Sequence, residues 1–82
     1  MKTIKIRREI KIEAYTIYDL SESDIGKEIT IVFYDRLYTG FLKRFTDEQI
    51  ILSRPNCLNL GFPLGGIIAW FYGKIDNARH AQ

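Results

Sequence analysis

Apolar and polar residues alternate with a period of two from the start of the chain. Ile4 and Ile6 point one way with Lys5 and Arg7 opposite, the pattern slips at Arg7-Arg8, and it resumes at Ile10 and Ile12. Period-two alternation predicts β structure, and the slip predicts a bulge or a tight turn, giving either one long bulged strand or a hairpin over residues 2–18. A helix with Ile6, Ile10 and Ile17 on one stripe is the competing reading. Residues 20–26, LSESDIG, break the alternation, and a short helical turn capped by Ser21 or Ser23 and ended by Gly26 is expected there.

Strand patterns follow in quick succession. EITIVFY places Ile29, Ile31 and Phe33 on one face and Thr30, Val32 and Tyr34 on the other. Asp35-Arg36 is expected to turn the chain into a second strand, LYTGFLKRF, in which Gly40 marks a bend or a close backbone approach. Thr46-Asp47-Glu48 turns again before a short strand over Gln49–Ser53. After Pro55-Asn56 the pattern predicts a fourth strand at Cys57–Leu60, a loop over GFPLGG, and a last, nearly all-apolar strand, IIAWFYGKI. Five short strands joined by tight turns predict an all-β fold, a small, strongly bent, five-stranded antiparallel barrel. The expected organisation is an N-terminal β extension (1–19), the barrel (20–75) and a polar tail (76–82).

Composition narrows the picture. With 82 residues the chain is one small domain, and its 46% apolar and 27% charged residues are a globular balance. The single Cys57 permits no internal disulfide, and no apolar run reaches the roughly 18–20 residues of a membrane helix. With no apolar leader at the start, a cytoplasmic protein is expected. The formal net charge is +2, but Lys2, Lys5, Arg7, Arg8 and Lys11 stand against Glu9 and Glu13 in the first strand region. Catalysis finds little footing. The one histidine, His80, lies in the tail, no base accompanies Ser21, Ser53 or Cys57, and one Cys with one His falls short of the roughly four ligands of a zinc site. No metal, cofactor or enzymatic activity is expected.

The run IGKEITIVFYDRLYTGFLKRFTDEQIIL resembles the first sequence motif of the Sm and Sm-like proteins. The matching positions are Ile25-Gly26-Lys27, then Ile29, Ile31 and Phe33, the turn at Asp35-Arg36, Gly40 with Leu42, Phe45, and Ile50-Ile51-Leu52. The spacing from Gly40 to Leu52 is similar to that of the bacterial host-factor branch. The second motif corresponds to Gly65-Gly66 before Ile67–Tyr72, without the family's preceding basic residue. Glu48 stands where the family has a flat base-stacking group, and Gln49 where it has a polar base reader.

The resemblance implies a homo-oligomeric ring of about five to eight copies, here leaning to a small one, in which the fourth strand of one copy pairs with the fifth of the next. The implied interface residues are Cys57, Leu58, Leu60, Ile68, Trp70 and Tyr72. It further implies a scaffold or chaperone for single-stranded RNA or DNA, with binding residues Lys43, Arg44, Phe45, Glu48, Gln49, Arg54, Phe62 and Gly65. Two other readings stand beside it. One is a structural ring of a phage or mobile element that makes protein contacts only. The other is a monomeric SH3-like adaptor that binds peptide through Tyr34, Tyr38 and Phe62.

Overall fold

The computed structural model describes residues 2–7 and 10–75. The chain is all-β. β1 (Lys2–Arg7) and β2 (Ile10–Ala14) form a two-stranded antiparallel hairpin. β3 (Glu28–Phe33), β4 (Arg36–Phe45), β5 (Gln49–Ser53), β6 (Leu60–Pro63) and β7 (Ile67–Tyr72) form a five-stranded antiparallel sheet in the order β6-β5-β4-β3-β7. The slip in the N-terminal alternation is both things it predicted, a hairpin and a register shift between Lys5 and Arg7. The arginine pair's second member, Arg8, and the polar tail of 76–82 with His80 lie outside the described residues.

Between the hairpin and the sheet the chain makes two single 3-10 turns, Ile17–Asp19 and Glu22–Asp24. In each, a Ser or Thr precedes an Asp by three residues. Asp19 accepts from the Thr16 N–H and hydroxyl at 2.8 and 3.0 Å, and Asp24 accepts from the Ser21 N–H at 3.0 Å. Each carboxylate thus satisfies donors that a short turn leaves orphaned.

Two expectations are corrected. The first reversal falls on Tyr34-Asp35, with Tyr34 at φ 53°, and Arg36 already pairs with Phe33. The fourth strand is not Cys57–Leu60 but β6, which begins at Leu60 opposite Leu52 and runs through residues expected to form a loop. Arg54 to Cys57 is consumed by a turn, with Asn56 at φ 59° and the Cys57 N–H donating to the Arg54 carbonyl at 3.2 Å. Pro63 is tolerated as the last residue of a strand paired on one side only.

Alternation along the strands builds two apolar clusters on opposite faces of the sheet. On the inner face Ile29, Ile31, Leu42, Ile50, Leu52, Phe62 and Trp70 pack together. On the outer face Val32, Ala69 and Phe71 are covered by Ile12 and Ala14 of the hairpin. β3 is therefore buried on both faces, and its one buried hydroxyl is satisfied: Thr30 Oγ1 lies 2.7 Å from Thr39 Oγ1 and donates to the Gly73 carbonyl at 2.6 Å. The segment after the hairpin is tied to β7. Tyr15 and Trp70 exchange backbone hydrogen bonds of 2.7 and 3.0 Å, and the Trp70 indole N–H donates to the Thr16 carbonyl at 2.7 Å.

Candidate nucleic-acid interface

The hairpin covers only part of the outer face. Leu37, near the start of β4, packs against the covered cluster, but Phe41, Lys43 and Arg44 farther along the same strand are exposed. Two features of the sequence place them there. Gly40 is buried against β5, where a Cβ would stand 3.0 Å from the Ser53 carbonyl oxygen and 3.1 Å from Leu52 Cβ, so its absence lets β5 pair closely. The register then shifts between Leu42 and Arg44, which leaves Lys43 as the extra residue of a bulge and sets Arg44 opposite Ile51. Bulges re-aim side chains. Here the result is that two adjacent cations, which simple alternation would send to opposite faces, line one shallow depression of about 270 Å³ together with Ile51, Asn59 and Gly61.

A second, neighbouring hollow of about 490 Å³ lies toward the other end of β4, lined by Phe41, Arg54, Cys57 and Lys74 among others. Glu28 is the one acidic residue in its lining. Phe41 is 39% exposed. The open half of the face and this hollow thus combine an exposed aromatic ring with Lys43, Arg44, Arg54 and Lys74. Phosphate recognition needs cations, and base recognition needs a flat apolar group. Phe41 was not among the sequence candidates. The available signal was its position two residues before Lys43 in a strand, which puts both on one face.

The eight binding candidates separate into three places. Lys43 and Arg44 lie on the open outer face, and Arg54 lines the hollow beside Phe41 with its Cγ near Gly40. Phe45 is half-buried against the inner core, and Phe62, opposite Ile50, is only 4% exposed within it. Glu48, Gln49 and Gly65 gather at one end of the sheet. Thr46 Oγ1 accepts from the Glu48 and Gln49 N–H groups at 3.1 and 3.2 Å, and the Leu64 N–H donates to the Glu48 carbonyl at 3.1 Å, which joins this turn to the 3-10 turn Leu64–Gly66. The β4–β5 turn and the Leu64–Gly66 turn thus meet, and the cations are elsewhere.

The six interface candidates also divide. Leu58 is 89% exposed and Cys57 is exposed, both before β6 begins, and Leu60 is half-buried. On β7, Ile68 is 48% exposed, whereas Trp70 is fully buried, stacked on Tyr15 at 4.8 Å between ring centroids. Tyr72 donates its hydroxyl to Asp24 Oδ1 at 2.5 Å, with Lys27 Nζ 3.6 Å from the same oxygen. Burial raises the Asp24 pKa, but the hydrogen bonds from Tyr72 and Ser21 and the charge of Lys27 outweigh it and hold the carboxyl below its ordinary 3.8. The same hydrogen bond, with desolvation and the Asp24 charge, pushes the Tyr72 phenol up to about 12.

Among the described residues no group of three or more His, Cys, Asp or Glu is placed to hold a metal ion, and no helix is long and apolar enough to cross a membrane. Compared with known proteins, the chain matches no family model, no curated protein and no solved structure.

Proposed function

We propose that this chain is a non-enzymatic binding module that holds single-stranded RNA or DNA on the open half of its outer sheet face, as a scaffold or chaperone would. The observation that carries the reading is the bulge in β4, which turns Lys43 and Arg44 into one depression beside Asn59, on the face that also exposes Phe41. Phosphates would lie against Lys43 and Arg44, continuing toward Arg54 and Lys74, with a base on the Phe41 ring. Asn59 would offer an amide to a base edge or a phosphate oxygen.

The test is fluorescence anisotropy with an oligouridine and an oligothymidine of about 16 nucleotides at low salt. The double variant Lys43→Glu/Arg44→Glu is expected to lose at least about tenfold in affinity, and the slope of log K against log salt to fall by about 1.4, while stability changes by less than about 0.5 kcal/mol. No binding of either oligonucleotide by the unaltered protein would reject the reading.

A ring of Sm-like type is a second proposal, favoured by the sheet order, which leaves as end strands β6 and β7, the pair the resemblance joins between copies. Such a ring has to accommodate Tyr15, which already occupies the outer edge of β7 at Trp70. Native mass spectrometry tests it: a discrete mass of about five to eight copies supports the ring, and a monomer at every concentration removes it. A ring that forms but binds no oligonucleotide would point to the assembly-component reading.

A further inference from the structure

On the inner side of the sheet, beside the end of β4 that carries the basic depression on its outer side, an open cleft of about 560 Å³ lies between the 3-10 turn Ile17–Asp19, the β4–β5 turn and Leu64. Its volume falls within the roughly 300–1,000 Å³ of sites that bury a ligand. Ile17, Leu20, Phe45 and Leu64 supply apolar walls, and Tyr18 contributes a ring that is 89% exposed. The charge that lines it is negative, and Arg44, next to the lining residue Phe45, faces the other side of the sheet. Asp47 lines the cleft, Glu48 follows it on the exposed turn, and Asp19 lies between the lining residues Tyr18 and Leu20. Asp19 is fixed in place by Thr16, whose N–H and hydroxyl both donate to it. Among the described residues no lysine or arginine lines the cleft.

We infer that this cleft docks a short segment of a protein partner in which an apolar side chain is flanked by Lys or Arg. The charge selects the occupant. Carboxylates at Asp19, Asp47 and Glu48 repel a phosphate backbone, so the cleft is the wrong sign for the nucleic acid proposed on the outer face. They also stand on two different elements, the 3-10 turn on one side and the β4–β5 turn on the other. A ligand that meets both needs cations on either side of an apolar anchor, and a peptide carries that arrangement in a few residues. The inference does not depend on the nucleic-acid reading, because no residue of the cleft belongs to the basic face.

The experiment is selection of a random peptide library, displayed on phage, against the immobilised full chain. Enriched sequences are expected to carry Lys or Arg next to an apolar residue. A synthetic copy of the leading sequence is expected to lose at least about tenfold in affinity against Asp47→Lys and against Tyr18→Ala, both exposed positions that the fold tolerates. It should bind Lys43→Glu/Arg44→Glu unchanged and shift the amide resonances of Leu20 and Leu64. Enrichment of acidic peptides, absence of enrichment, or binding indifferent to both cleft variants would overturn the inference. So would self-association abolished equally by Asp47→Lys and by Lys43→Glu/Arg44→Glu, which would make a second copy the occupant.

Discussion

Over β3 and β7 the outer face of the sheet is sealed: Ile12 and Ala14 of the hairpin lie on Val32, Ala69 and Phe71. Over the far half of β4, β5 and β6 the same face is bare and carries Phe41, Lys43 and Arg44. The two halves share strands and hydrogen-bonded ladders, so backbone geometry does not separate them. The side chains do. Where residues are apolar and small enough to accept a second layer, the hairpin stays down. Where the β4 bulge delivers two adjacent cations, a covering strand would bury charge without partners, at a cost of several kcal/mol. The strand edges follow the same division. The edge of β7 is strapped by Tyr15 at Trp70 and by the Tyr72–Asp24 hydrogen bond, whereas β6 pairs on one side only. The N-terminal segment therefore stabilises one side of the molecule and leaves the other uncovered.

The largest expected break in this contrast is Trp70→Ala. It removes a fully buried ring that packs on Tyr15, and it leaves the Thr16 carbonyl without its indole donor. A loss of about 3–5 kcal/mol is expected, a large share of the roughly 5–15 kcal/mol typical of a small domain. Urea denaturation measures it, and a loss under about 1 kcal/mol would show that the strap contributes little.

Ile12→Ala probes the seal itself. Ile12 is fully buried between hairpin and sheet, and its truncation is expected to cost about 2–5 kcal/mol. The informative detail is where the cost falls. If the hairpin and sheet unfold as one unit, the urea midpoint drops for every probe. If hairpin amides alone exchange faster while the midpoint holds, the cover is separable and the comparison sharpens to two independent layers.

Tyr72→Phe is milder. Asp24 keeps its bonds from Ser21 and its contact with Lys27, so losing one hydroxyl donor costs about 1 kcal/mol. The pH dependence carries a sign. The Tyr72 pKa is raised from 10.0 to about 12 in the folded chain, so its contribution is complete below pH 10 and is lost as pH climbs toward 12. The folded Asp24 pKa is lowered, so its contribution is present above the unfolded value of 3.8 and is lost as pH falls below it. Stability of Tyr72→Phe between pH 9 and 12 should therefore decline less than that of the unaltered chain. Parallel curves would mean that the hydroxyl is not what ties the turn to β7.

Much of this architecture was legible because strand alternation is local. β3, β4, β5 and β7 follow from their own residues, and Gly40 announced the close approach of β5. What the sequence hid depended on pairing. Gly61-Phe62-Pro63 has loop composition, and only the register against β5 makes it a strand. That register puts Phe62 opposite Ile50 and hence in the core, where it is not free to stack on a base. The nearly all-apolar last strand does not say what covers it: its outer face is covered by the chain's own hairpin, joined to it by a bridge at Tyr15 that no periodicity marks. The basic site was half legible. Lys43 and Arg44 were evident, but their convergence needs the bulge, and the exposure of Phe41 depends on where the hairpin cover stops.

Two surface variants separate the two chemistries of the bare half. Lys43→Gln is expected to change stability by no more than about 0.5 kcal/mol, since the position is exposed, and Phe41→Ala, which truncates a ring 39% exposed, by about 1–2 kcal/mol. Their effects on oligonucleotide binding should differ in kind. Phe41→Ala removes a stacking platform worth about 1–3 kcal/mol per base, so affinity falls by a similar factor at every salt concentration. Lys43→Gln removes one phosphate contact, so the slope of log K against log salt falls by about 0.7 and the loss shrinks as salt rises. A salt titration of both variants beside the unaltered chain reads the two directly. If Phe41→Ala also changed the slope, the ring would be positioning cations and not holding a base. If Lys43→Gln left the slope untouched, the phosphate path would have to run through Arg54 and Lys74, in the hollow beside Phe41, and the bulge would be a feature of the fold alone.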